Sequence, residues 1–132
     1  MPHPPEHLLA AATVATDALG TLAAQLGIGY AFRPWNACSK SQRDGLIADA
    51  TIIADTPDFD AEQYHARIVA SLAAFGWRYG PIFDPDRYEM PEMAPWAEAP
   101  FECRLAAHLF VNTVRSTLHA LLLATQTKPE RN

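Results

Sequence analysis

Gly76-Trp77-Arg78-Tyr79-Gly80-Pro81, continued through Asp84-Pro85-Asp86-Arg87-Tyr88 to Pro91-Glu92-Met93-Ala94-Pro95-Trp96, separates two amphipathic segments, one ending at Phe75 and the other opening at Pro100. Connections beyond roughly 12 to 15 residues are usually functional or disordered in a compact domain. Here Trp77, Tyr79, Phe83, Tyr88, Met90, Met93 and Trp96 carry more apolar area than a solvated linker does, so an ordered loop is expected. Gly76 suits the left-handed turn that ends a helix, and Gly80 before Pro81 suits a second tight turn. The prolines at 81, 85, 91, 95 and 100 fix φ at each site and lower the entropy lost on ordering.

Working outward, the helix that delivers this loop begins near Asp60, an N-cap with Gln63 three residues on, and ends at Gly76. Tyr64, Ile68, Leu72 and Phe75 are its expected buried stripe. The receiving helix runs from Pro100 to about Thr125, with Leu105, Leu109, Val114, Leu118, Leu121 and Leu122 inward. A first helix runs to about Leu26 on a stripe of Leu8, Ala12, Ala15, Leu19, Leu22 and Leu26, closed by Gly27 or Gly29. That stripe wants a partner helix, either in the same core or in a second subunit, and its uninterrupted length raises the expectation of a homodimer through helix one.

Residues 28–38 form a connector containing Tyr30, Phe32, Arg33, Pro34 and Trp35, after which Ser39 and Gln42 make a capping box for a second helix. Leu46, Ile47, Ala50, Ile53 and Ala54 then share one face. No stretch alternates as a strand does, although Gly27 to Phe32 or Pro81 to Phe83 is short enough to pair briefly. The expected fold is all-α: a compact bundle of four main helices with a long ordered loop rich in proline and aromatics between the third and fourth. It forms one domain over residues 1–132, with 1–5 and 127–132 frayed.

Arg43 follows Trp35 at the interval that separates Arg104 from Trp96, and a proline precedes each tryptophan. Such an internal pseudo-repeat would bring two Trp/Arg pairs toward one pocket.

Composition narrows the function. With 49% hydrophobic and 19% charged residues, the 132-residue chain has an ordinary globular balance. A net charge of −5 argues against binding long nucleic acid, which needs several phosphates neutralised at once, but leaves room for a small anion in a local basic pocket. Cys38 and Cys103 have no CxxC spacing, which points to structural, reduced thiols in a cytoplasmic protein. The apolar N-terminus lacks the basic residues of a signal peptide and carries Glu6 and Asp17. The longest apolar run, Leu118 to Ala124, is too short to span a bilayer, so no membrane role is expected.

Catalytic patterns are weak. His108 and His119 share a helix face but stand about 16 Å apart at 1.5 Å per residue, too far to hold one metal. His3 and His7 have ligand spacing on the frayed end, and Asp84, Asp86 and Glu89 lack the glycine turn of a calcium loop. No GxSxG, HExxH, Walker or dinucleotide-binding pattern occurs, so neither an enzyme nor a cofactor or metal site is expected.

The pattern His65…Gly76-Trp77-x-Tyr79-Gly80…Asp84…Pro91-x-Met93-x-Pro95-Trp96…Pro100…Arg104 resembles the RyR domain, the repeat named after ryanodine receptors, over residues 63 to about 104. The chain departs from it at Tyr88 and Met90, where the family commonly has a basic residue and a histidine, and at Cys103, usually acidic. Those are polar positions, so the departures bear on ligand identity. The family's members outside the receptors occur in bacterial and phage proteins and are thought to sense nucleotide-related molecules. The resemblance implies that role here: a stand-alone sensor, or a protein that sequesters a nucleotide signal in bacterial and phage conflict.

The residues themselves offer stacking surfaces and forked donors suited to an anionic aromatic ligand. The expected site gathers Trp77, Arg78, Tyr79 and Trp96 from the loop with His65 and Arg104 from the flanking helices, joined by Trp35 and Arg43 if the pseudo-repeat is real. The bland alternatives are a histidine hydrogen-bonded to the loop, a Trp77 packed as core, and surface arginines. A second function class is a protein interaction module that docks a partner through the aromatic loop or helix one.

Overall fold

The structure, a computed structural model, describes residues 3–28 and 32–126. Gly29, Tyr30 and the end segments 1–2 and 127–132, on which the sequence raised expectations, lie outside the described residues. Four helices make the all-α fold: α1 (Pro5–Leu26), α2 (Lys40–Asp55), α3 (Ala61–Ala74) and α4 (Phe101–Gln126).

Local signals act where the sequence places them. Ser39 Oγ accepts from Gln42 N at 3.1 Å while Gln42 Oε1 accepts from Ser39 N at 2.8 Å, and Asp60 and Gln63 close the same reciprocal box at the start of α3. Gly27 closes α1 at φ 74°. Gly76 turns the chain after α3 at φ 95°, where a side chain would be strained.

The core lies along α1 and α4, which make the most extensive helix contact in the molecule, with α2 and the first half of α3 closing over them. Alanines at 11, 12, 15 and 23 of α1 and at 106 and 107 of α4 let the two backbones approach closely, and Leu19, Phe110, Val111, Val114 and Leu118 fill the space between. The ring of Tyr64 stacks on that of Phe110 at 4.6 Å. The α1 stripe is therefore largely covered within the chain, Leu26 excepted, and gives no argument for a second subunit.

Three expectations are corrected. Phe75 is 76% exposed, and Ile68 and Leu72 are only half-buried, because α3 meets its neighbours through Ala61, Tyr64 and His65 and leaves its second half uncovered. On α4, Leu105, Leu109 and Leu121 are half-buried and Leu122 is exposed, whereas Cys103, Ala106, Ala107, Phe110 and Val111 face inward. Close approach to α1 rotates the small side chains, rather than the leucines, into the interface. The most apolar element is α1, not Leu118 to Ala124: by length and composition alone it could cross a membrane, although it packs here against α4 and α2.

Between α3 and α4 the loop is ordered, as expected, and holds a small parallel pair: β1 (Arg78–Tyr79) against β2 (Glu89–Met90), with Asp84 bridging back to Glu89. Two-residue strands are too short to leave an alternating signal in a sequence. Three short 3-10 turns complete the chain at Trp35–Ala37, Pro91–Met93 and Trp96–Glu98.

Candidate functional site

The end of the loop is pinned between α3 and α4 by one histidine. His65, 4% exposed, places Nε2 2.8 Å from the carbonyl oxygen of Ala94. A carbonyl only accepts, so Nε2 carries the proton and Nδ1 is left as an acceptor. Facing it at 3.6 Å is the Sγ of Cys103 on α4. Burial, followed by the charges of Glu92 and Glu102, pushes the Cys103 thiol up to about 11, so it stays protonated and donates. His65 thus joins α3, the loop and α4 in one chain of hydrogen bonds. Trp96 wedges beside it, its ring 5.7 Å from that of His65 and 5.5 Å, edge-on, from that of His108.

A groove of about 390 Å³ opens on this arrangement. Met93, Ala94 and His65 form its buried floor, Ala66, Val69 and Ala70 are the α3 wall, and Pro95 and Trp96 are the opposite wall. Its one charged lining residue is Glu62, in the first turn of α3. The volume is within the range of small-molecule clefts, roughly 300 to 1,000 Å³.

Of the expected site residues, His65 and Trp96 line the groove and the others do not. Strand pairing turns Trp77 against Phe83 and Tyr88, with ring centroids 6.0 and 5.3 Å away, so it sits half-buried in an aromatic cluster within the loop whose other two rings are exposed. Arg78 is tied to Glu89 across the pair at 3.1 Å, and Tyr79 is 58% exposed. Arg104 is half-buried on α4, and its buried Nε has no hydrogen-bond partner.

Trp35 and Arg43 form their own pair: the guanidinium lies 5.3 Å from the ring centroid and its Nε donates to the Trp35 carbonyl at 3.0 Å. Asp17 of α1 accepts from Trp35 N at 2.8 Å and fixes the turn there. The two Trp/Arg pairs consequently do not share one pocket.

The two Pro-Trp segments nevertheless share a local backbone form. Each Pro-Trp opens a 3-10 turn closed by a bond to the tryptophan carbonyl, from Cys38 N at 3.1 Å and Ala99 N at 3.2 Å, and each turn leads into a long helix. A second groove, of about 470 Å³, lies where α1 meets Pro34, as the first lies where α3 meets Pro95, but Trp35 does not line it. The side chains have diverged: Arg43 covers Trp35, whereas Trp96 meets two histidines.

No protein-family model, no curated protein and no solved structure matches this chain.

Sequence reasoning did not mark Glu62, and it weighed Met93 only as an apolar loop residue and His108 only as a metal ligand too far from His119. His108 had a signal, one turn after Arg104 on the same helix face. Glu62, Ala66, Val69 and Ala70 also recur at helical spacing, but such a stripe reads as core until the packing shows it open. Among the described residues, no group of three His, Cys, Asp or Glu gathers to hold a metal ion.

Proposed function

We propose that this chain is a non-enzymatic binding module whose ligand is a small, nucleotide-like molecule, seated by its aromatic ring in the groove between α3 and Met93–Trp96. The observation that carries this reading is the open groove itself: small side chains on α3 face the Trp96 ring across a space the protein leaves unfilled. Arg104 lies outside the groove's lining, on α4 one turn before the His108 that meets Trp96, and supports an anionic end to a ligand that extends past Trp96. Its counterpart Arg43 spends Nε on a tryptophan carbonyl, whereas Arg104 Nε is buried without an acceptor. A buried unpaired donor costs about 1 to 3 kcal/mol, which a phosphate or carboxylate would recover. The resemblance of residues 63–104 to the RyR domain points the same way. The raised Cys103 thiol is the reverse of an activated nucleophile, in keeping with binding rather than catalysis. Sensing or sequestering such a molecule is the corresponding role.

Stacking contributes roughly 1 to 3 kcal/mol per base and a charge-assisted hydrogen bond about 1.5 to 3, so two of each reach micromolar affinity, about 8 kcal/mol, after association costs. The test is twofold: absorbance at 260 nm and mass of whatever the purified protein releases on denaturation, and calorimetry against mono-, di- and cyclic nucleotides. Trp96→Ala and Arg104→Ala are each expected to weaken binding about tenfold or more. A panel without any binder would sink the reading.

A docking module for a protein partner is the second reading. It is favoured by the aromatic loop and its flanks, where Phe75, Ile82, Phe101 and Tyr79 are 76, 69, 64 and 58% exposed.

A further inference from the structure

On the ligand reading above, we infer that the groove selects a guanine ring and that Glu62 selects it. The lining leaves little else to read a base edge. Both ring nitrogens of His65 are committed, Nε2 to the Ala94 carbonyl and Nδ1 to Cys103. Ala66, Val69, Ala70, Met93 and Pro95 have no polar side-chain group beyond a thioether, and Trp96 presents its ring. Glu62 is exposed at the edge of the groove, and no hydrogen bond or ion pair is found for it among the described residues, so its carboxylate is free to accept from a ligand seated there.

Two adjacent acceptors call for two adjacent donors. Of the common bases, guanine presents a ring N–H beside an exocyclic amine on its Watson–Crick edge. Adenine and cytosine set a ring acceptor beside the amine, which would meet a carboxylate oxygen lone pair to lone pair. Uracil flanks its single N–H with carbonyls. A bidentate carboxylate pair is therefore formed by guanine alone, and a site built to bond a donor rejects analogues that lack it far more strongly than an apolar pocket can. The apolar walls supply stacking to any base, so discrimination rests on Glu62.

The experiment is calorimetry of the full chain against guanosine, inosine, adenosine and cytidine, with Glu62→Gln and Ala70→Leu as variants. Ala70 is exposed, so the leucine fills the groove without entering the core. Guanosine is expected to bind best. Inosine, which lacks the amine, should lose about tenfold, and adenosine about a hundredfold. Glu62→Gln offers one acceptor and one donor, which pair with adenine's amine and ring nitrogen and equally with guanine's ring N–H and O6, so it is expected to erase most of the preference for guanosine over adenosine, an effect that a merely structural glutamate would not produce. Ala70→Leu should abolish binding of every nucleoside, with thermal unfolding of both variants near that of the wild type.

Adenosine binding as well as guanosine, or a guanosine preference undiminished in Glu62→Gln while Ala70→Leu still blocks binding, overturns the guanine assignment and leaves the groove as a ligand site. Absence of binding by all four nucleosides to the wild type overturns the guanine assignment, and absence of binding across the nucleotide panel as well overturns the ligand reading.

Discussion

Arg115 offers the sharpest test of how the bundle is held. From α4 its Nη2 reaches the carbonyls of Thr56, Pro57 and Phe59, at 3.2, 3.0 and 2.5 Å, and so clamps the short link between α2 and α3 onto the fourth helix. One nitrogen has two hydrogens, so three acceptors share at most two full hydrogen bonds. Each charge-assisted bond is worth about 1.5 to 3 kcal/mol, but the Thr56 and Pro57 carbonyls are exposed and water replaces the guanidinium there. Only the part-buried Phe59 bond retains most of its value, and it holds a residue whose ring is itself in the core.

The expected cost of Arg115→Met, which keeps the aliphatic stem, is therefore about 2 kcal/mol. At roughly 2.1 cal/mol/K per residue, that lowers the Tm by about 7 °C. Urea and thermal unfolding followed by circular dichroism measure it, and Arg115→Lys should fall between wild type and Met. A loss below about 0.5 kcal/mol for the methionine variant would refute the reasoning, since it would mean that water serves all three carbonyls as well as the guanidinium does.

Two further outcomes follow from particular contacts. A Cβ on Gly80 would lie 2.6 Å from Glu89 Cβ and 2.8 Å from its Oε1, so Gly80→Ala should cost about 1 to 3 kcal/mol and disturb the β1–β2 pair, whereas Gly45, with open space around it inside α2, should gain about 0.5 to 1 kcal/mol on the same change; urea unfolding of the two variants compares them. Burial raises the Asp49 carboxyl above its ordinary range despite its bonds to Arg67 at 2.8 and 2.9 Å. With the folded pKa above the unfolded one, the stability this group contributes is fully present below the ordinary carboxylate pKa and is lost as pH rises through the folded value. Asp49→Asn should consequently match or exceed wild-type stability at pH 7 and fall behind it as the pH is lowered toward 3; because Arg67 is 43% exposed and free to rehydrate, a loss above about 1 kcal/mol at pH 7 would contradict this.

Local chemistry was legible in the chain itself. Ser39 with Gln42, Asp60 with Gln63, Gly27 and Gly76 end or begin helices through bonds and torsions confined to neighbouring residues, so their spacing carried the whole answer. The order of the long loop was equally readable from its prolines and aromatics. Tertiary contacts decided the rest. Which face of α4 is buried depended on how closely the alanines let α1 approach, and Phe75 is exposed because nothing covers the end of α3, a fact no periodicity contains. The candidate site divided along the same line. His65 and Trp96 could be picked out as unusual residues, but only the packed structure parts Arg78 from them, by pairing it with Glu89, and brings Glu62, Met93 and His108 near, because those neighbours come from helices and turns whose mutual rotation is set by the core beneath them.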